Sequence, residues 1–430
     1  MVLVLTNPRG SDGELAELLT TTQASQPALL QAINAAPSSA GLQASWAIDA
    51  TNGVDSNQGT PAAPLKTMGE FNARMQGNFQ QVAATLQLVG NVLDQPLTLA
   101  GSRFGLGASL SVFGTRTDLG AGTITLVTPL GPSSSAPFQL TTTGIDWTTI
   151  PVGSQLRFST NGEIGMIVEV VDANNVIVGA IATATGSVFG SPVAGATVTA
   201  AALSRALPPV VNASMQSTTS TPPLLLQSLS FDAANAYSLR GGLMAQFYGC
   251  EMKGTNAAAP FAADSTVLIK CCRVTQTASS WVWESGTGSF DTLGLVAAGT
   301  GALLMISRGV RIAHTSFTLT GLRLSVSGGA SISIGPGHIR NTAGPILCSS
   351  GAALVFNSPV NGSTGNTGIG IDVPLGKVAY FGSSGKPTVT GASDCRVGGI
   401  AKTYAQIPFT SYDATVPAAI TGNGAQIVQI

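Results

Sequence analysis

From Leu229 onward, hydrophobic positions fall into short triplets with apolar outer members, and the triplets recur at a near-constant interval. Leu229-Ser230-Phe231 is followed by Cys250-Glu251-Met252 after 21 residues, Cys272-Arg273-Val274 after 22 and Leu293-Gly294-Leu295 after 21. After a shift of phase, Val310-Arg311-Ile312 leads to Ile332-Ser333-Ile334 and Leu354-Val355-Phe356, each 22 residues on, and Val378-Ala379-Tyr380 comes 24 later. Alternation within a triplet predicts a short strand whose outer pair shares one face. A 22-residue period with Gly and Asn between strands predicts a right-handed parallel β-helix over residues 207–395, because each coil buries too little by itself and must stack on its neighbours. The competing arrangement, a sandwich of antiparallel hairpins, asks for longer strands and tight two-residue turns.

The pattern differs upstream. In residues 1–45, Leu15, Leu18, Leu19, Leu29, Leu30 and Ile33 lie at helical spacing behind a capping Ser11 or Asp12, and Pro27 interrupts them. The stretch "WAIDA" from Trp46 reads as one strand, followed by loop chemistry. Residues 67–90 predict a helix: Thr67 and Glu70 form a capping box, and Phe71, Met75, Phe79, Val82 and Leu86 supply an apolar stripe. Strand-like residues 97–114 complete a first coil, so 46–114 forms a capping unit. Residues 115–206 carry longer strands such as "GEIGMIVEVVD" with hairpin signals at Asn161-Gly162 and "DANN", which predicts an inserted antiparallel β domain. Residues 207–223 read as its return linker. Residues 396–430 leave the rhythm and are expected to close the last coil or exchange with a neighbour. The expected class is thus all-β with an N-terminal helical segment, a capping helix and one insertion.

Composition sharpens this picture. Charged residues make up 9% of the 430-residue chain, against about 25% in ordinary domains, while hydrophobic residues make up 44% and glycines number 52. The polar surface is therefore expected to be Ser, Thr and Asn. Net charge is −1, with no cluster of Lys and Arg, which argues against nucleic-acid binding and against a polybasic membrane patch. The five-residue apolar run in "MVLVLTNPRG" lacks the basic flank of a signal peptide, and no apolar stretch is long enough to insert in a membrane. Five Cys without a CxxC pair and only two His make a zinc site improbable, and no metal or cofactor is expected. Cys250 and Cys272 fall in register and are expected as stacked buried thiols.

The stretch "WAIDATNGVDSNQGTPAAPLKTM" presents Trp46, Asp49, Asn52, Gly53, Asp55, Ser56, Asn57, Gly59, Pro64, Leu65, Lys66 and Thr67 in order. It resembles the N-terminal signature of right-handed β-helix proteins such as the DUF1565 and pectate-lyase-like groups. That resemblance implies a lid over the first coil, where unpaired backbone and a slice of core would otherwise be open. A cation or sugar site on Asp49, Asp55 and Asn57 is the functional alternative. The preferred reading is an Asx-bonded loop with Lys66 pairing one carboxylate.

The family includes polysaccharide lyases and hydrolases, and hydrolysis asks for two facing carboxyls. Among Asp232, Glu251, Asp264, Glu284, Asp291, Asp372 and Asp394, no two lie two apart on one strand. Glu251 is expected to pair with Arg273 one coil on. No catalytic residue is assigned, and enzymatic activity is not expected. In "SSWVWESG", Trp281 and Trp283 alternate onto one face with Glu284 opposite, a platform on which sugar rings can stack. Arg311, pointing outward near Arg308, His314 and Arg323, is a candidate for meeting an anionic glycan. The arrangement as a whole resembles bacteriophage tail spikes. This resemblance implies a virion protein: a homotrimer, attached to tail or baseplate proteins through residues 1–45, contacting host surface polysaccharide. A polysaccharide lyase or glycoside hydrolase, and an exported surface adhesion protein, are the alternatives.

Overall fold

The computed structural model describes residues 43–275 apart from short stretches, of which 216–223 is the longest in the backbone; from 276 to 403 it describes the backbone of strands alone. Residues 1–42 and 404–430 lie outside it, so the helices expected in 1–45 and the closing role of 396–430 are not addressed by it, save for the strands Arg396–Val397 and Ile400–Thr403.

The chain is all-β around one eight-residue α-helix among the described residues. Ser45–Asp49 pairs in parallel with Ala83–Val89, which pairs with Ser109–Gly114, then Leu224–Gln227, Met244–Tyr248 and Thr266–Lys270. This sheet continues to Ile400–Thr403, twelve strands among the described residues. A second parallel run passes through Leu229–Phe231, Glu251–Gly254 and Arg273–Gln276 to Val360–Gly362, and a third goes from Val210–Asn212 through Ser238–Arg240 and Phe261–Ala263 to Arg396–Val397. From Leu224 the chain visits the three sheets in rotation.

Registered columns make the core. Leu226, Phe247 and Ile269 are aligned strand to strand, as are Leu224, Ala245 and Val267, and all six are buried. Each such large side chain contributes about 1.5–3 kcal/mol. Phe231, Tyr237 and Phe247 meet edge to face at 5.7–6.3 Å. Cys250, Cys271 and Cys272 are buried thiols, none of them in a disulfide. The chain turns out of the twelve-stranded sheet at Ser228, Gly249 and Cys271 with φ of 53°, 58° and 48°. Only the middle one is glycine, so Ser228 and Cys271 hold a left-handed backbone that costs roughly 1–2 kcal/mol each.

The expected rhythm is present with a changed phase. Ser230, Glu251 and Arg273 align at steps of 21 and 22, but Arg273 then aligns with Val296, a step of 23. Leu293 ends a strand of one sheet and Leu295 begins a strand of another, so they form no triplet. The later series belongs to the twelve-stranded sheet: Ile312 aligns with Ile332, a step of 20, then Leu354 and Val378 follow at 22 and 24. The phase shift read from the sequence is a change of sheet.

The helix expected over 67–90 stops at Met75. Phe79 belongs to a short strand and Leu86 to Ala83–Val89, where Ala84, Leu86 and Leu88 alternate into the core; Val82 lies outside the described residues. Period two overrode the helical stripe because this segment pairs on both sides, with Ser45–Asp49 and Ser109–Gly114. The described strands between residues 116 and 206 form an antiparallel sheet around Trp147, Leu140, Leu156, Val176 and Val198. Its last strand, Thr197–Ala206, is antiparallel to Arg116–Pro129 along most of its length and parallel to Leu229–Phe231 at Ser204–Ala206. One strand therefore joins the two architectures without a hinge. The expected return linker is also structured: Val210–Asn212 and Ser214–Met215 pair in parallel with other strands.

Candidate functional site

The motif between Trp46 and Thr67 folds over the free edge of Ser45–Asp49. Ala47 and Asp49 donate their N–H groups to Gly59 O and Leu65 O, and Leu65 N–H donates to Ala47 O. Asp49 accepts from the N–H groups of Thr51 and Asn52 at 2.9 Å; the Asn52 N–H, above all, holds its carboxyl below the usual range. Asp55 accepts from Lys66 N–H, Thr67 N–H and Thr67 Oγ1 at 2.9–3.0 Å. Asn57 donates to Pro64 O at 3.0 Å. Thr67 caps the helix by accepting from Glu70 N–H at 3.2 Å, and Asp94 accepts from Met68 N–H and Gly69 N–H.

Two glycines are dictated by contact. A Cβ on Gly53 would lie 2.0 Å from Leu65 O, and one on Gly59, at φ +83°, would lie 2.8 Å from the Trp46 ring. Trp46 in turn packs edge to face on Phe71 at 5.3 Å. Ser56 is exposed. Lys66 is also exposed and gives Asp55 its backbone N–H, not the ammonium pairing expected from the sequence. The polar atoms of Asp49, Asp55 and Asn57 hold the loop, in keeping with the Asx-bonded reading. No group of three His, Cys, Asp or Glu is placed for a metal among the described residues.

A second polar cluster lies where the insertion meets the parallel sheets. Gln155 is fully buried, and its Nε2 donates to Gly249 O at 2.8 Å and Ser228 Oγ at 3.2 Å. Its Oε1 has no partner. Ile164 packs on Tyr248 and Cys271, and burial pushes the Tyr248 hydroxyl above its ordinary range. Glu251 accepts from Ser230 Oγ at 3.0 Å and pairs with Lys253 at 3.2 Å and Arg273 at 3.9 Å. The expected ion pair is present between neighbouring parallel strands, and both partners are only 7% exposed. Gly153 of the insertion rests on this carboxylate, since a Cβ there would lie 2.2 Å from Glu251 Oε1. Sequence reasoning missed Gln155 and Gly153, because nothing in their local pattern marks a contact some 70–100 residues away.

Trp281, Trp283 and Glu284 lie on the strand Ser280–Ser285, paired in parallel with Phe261–Ala263 and Leu303–Ser307. Arg311 opens the strand Arg311–His314, aligned with Ser289 and Ser331. Their side chains lie outside the described part of the structure.

No protein-family profile matches the chain, and no curated protein does. Among solved structures, a glycoside hydrolase is similar at 8% identity, over 86% of this chain and 98% of that one, with a TM-score of 0.28. A GH136 lacto-N-biosidase from Eubacterium ramulus matches at 9% identity, over 90% and 68%, with a TM-score of 0.27. The Gp54 tailspike of Acinetobacter baumannii bacteriophage AP22, in complex with capsular saccharide, matches at 12% identity, over 77% and 73%, with a TM-score of 0.20. Likenesses this slight carry no weight for fold or function.

Proposed function

We propose that the chain is a right-handed parallel β-helix acting as a host-contacting structural component of a bacteriophage virion, of tail-spike or fibre type. The observation that carries this reading is the parallel pairing in three sheets, taken in rotation from Leu224 to Tyr380, with parallel pairing continuing to Thr403. Parallel crossovers of this kind are right-handed in about 98% of proteins, and stacked coils make a stiff rod suited to projecting from a particle. The resemblance of Trp46–Thr67 to a DUF1565-like lid fits the way this segment covers the edge of the first sheet. The insertion, joined through the strand Thr197–Ala206, widens one flank. In this reading three copies associate side by side, residues 1–45 hold tail or baseplate proteins, and the flanks meet surface glycan. Deleting residues 1–45 leaves a folded, soluble rod, visible by electron microscopy, that is missing from purified particles. Particles that incorporate the truncated chain at the normal level overturn the assignment.

A further inference from the structure

We infer that the junction of the insertion with the parallel sheets is a binding site for an acidic saccharide, a sugar bearing carboxylate or sulfate, held by Arg116, Arg157 and Lys270 around Tyr248. This rests on the glycan-contacting part of the proposed function and names the chemistry of the ligand.

The three cations come from separate parts of the chain and are placed around Tyr248 by strand register and packing. Gln155 and Arg157 share one face of the strand Gln155–Phe158, while Leu156 and Phe158 fill the insertion's own core. Gln155 fixes that face against Ser228 and Gly249. Arg157 is aligned with Ile164, which packs on Tyr248. Lys270 is the register partner of Tyr248, so the two stand side by side on the sheet face opposite Phe247 and Ile269. Arg116 enters from the far side of Thr197–Ala206, half-buried, within electrostatic reach of Arg157 and Tyr248.

Charge makes the cluster unusual. The chain holds 19 Lys and Arg in 430 residues, yet Arg116, Arg157 and Lys270 lie on strands that border Tyr248 or its neighbour Ile164. None of the three forms an ion pair with another described residue. Asp118, exposed and two residues from Arg116, is the carboxylate acting on Arg116 and offsets one charge of three. Burial and the repulsion of Arg157 both work against the charged form of Arg116. A bound carboxylate or sulfate reverses both penalties, and the planar guanidinium fork suits two oxygens of either group. By contrast, the buried Arg273 has Glu251 beside it. An unpaired cluster next to a matched pair is the pattern of a site that awaits an anion.

Titration calorimetry of the full chain with three oligosaccharides tests this: oligogalacturonate for carboxylate, a sulfated dextran oligomer for sulfate, and the neutral dextran oligomer. At least one anionic probe binds, the neutral probe does not, and Arg157→Gln weakens binding tenfold or more. Arg116→Gln does the same. Because Arg116 is half-buried and its replacement can disturb folding, the exposed Arg157 carries the decision. Arg240→Gln, at an exposed arginine elsewhere, changes affinity less than twofold. The site is overturned if neither anionic probe binds, if the neutral probe binds equally, or if Arg240→Gln loses as much as Arg157→Gln. These measurements need no particle. Failure here leaves the virion role intact, while a binding-competent chain absent from particles removes that role and keeps the site.

Discussion

The lid at Trp46–Thr67 and the junction at Gln155–Glu251 are both rich in polar side chains, but they use them in opposite ways. In the lid, Asp49, Asp55, Asn57, Thr67 and Asp94 each satisfy backbone or side-chain groups that the folded loop would leave bare. At the junction, Gln155 Oε1 and Arg273 Nε are buried without partners, and Arg116 lies within electrostatic reach of Arg157 with one exposed carboxylate, Asp118, acting on it. A buried polar group left unmatched costs about 1–3 kcal/mol. The first pattern is what a structural closure requires. The second places charge where a fold alone has no use for it.

The most damaging way to probe the contrast is to unbalance the one matched pair at the junction. Replacing Glu251 by Leu leaves Arg273 an uncompensated buried cation and lowers unfolding stability by about 3–5 kcal/mol. The double replacement Glu251→Leu with Arg273→Leu recovers most of that loss, since an apolar pair of similar volume is close to neutral. Chemical denaturation of the four-member cycle measures it. If both single variants and the double lose the same amount, the pair is not what makes this contact.

In the lid, contact and not charge sets the limit. A methyl group at Gly53 collides with the backbone carbonyls of Leu65 and Asp49, at 2.0 and 2.5 Å, and neither can withdraw without unpairing the edge strand. Gly53→Ala is expected to cost about 3 kcal/mol. Gly69→Ala, on the capping helix of the same lid, meets only the flexible end of Gln95 at 3.2 Å and shifts stability by less than about 0.5 kcal/mol. Thermal unfolding of the two variants side by side separates a fixed collision from a yielding one.

The lid was legible in the sequence because its chemistry is local: Asn52-Gly53, Asp55 and Thr67-x-x-Glu70 bond partners within about a dozen residues. The repeat was legible for the same reason, one apolar pair per strand. Two errors share a cause. Phe79 and Leu86 fit helical spacing, yet Ala84, Leu86 and Leu88 fit period two equally well, and only the sheet edge offered by Ser45–Asp49 decides between them. Likewise Leu293-Gly294-Leu295 looks like a triplet until pairing assigns its ends to different sheets. The junction was invisible because Gln155, Gly153 and Arg157 acquire meaning only when the insertion lies against parallel strands far along the chain. A polar residue inside an alternating strand reads as solvent-facing unless its distant partner is known.

The smallest effect gives the sharpest comparison, because its sign differs between two carboxyls. Asp49 has its pKa lowered by the N–H of Asn52, so the unfolded chain binds its proton first as pH falls. Its stabilising contribution is present above the ordinary Asp value of about 4 and fades as pH drops through the lower folded value. Glu163, in the insertion, is 5% exposed with Oε2 unpartnered, and burial raises its pKa. The folded chain keeps that proton longer, so stability declines as pH rises above about 4.3, the ordinary Glu value. Urea midpoints measured from pH 3 to pH 7 should therefore show Asp49→Asn flattening the acid limb, while Glu163→Gln raises the midpoint at pH 7 and leaves it nearly unchanged at pH 3. A Glu163→Gln variant that is less stable at pH 7 than the parent, by as much as at pH 3, means that Glu163 is matched when ionised. The contrast between a lid whose carboxyls are matched and an insertion with an unmatched one then fails at that residue.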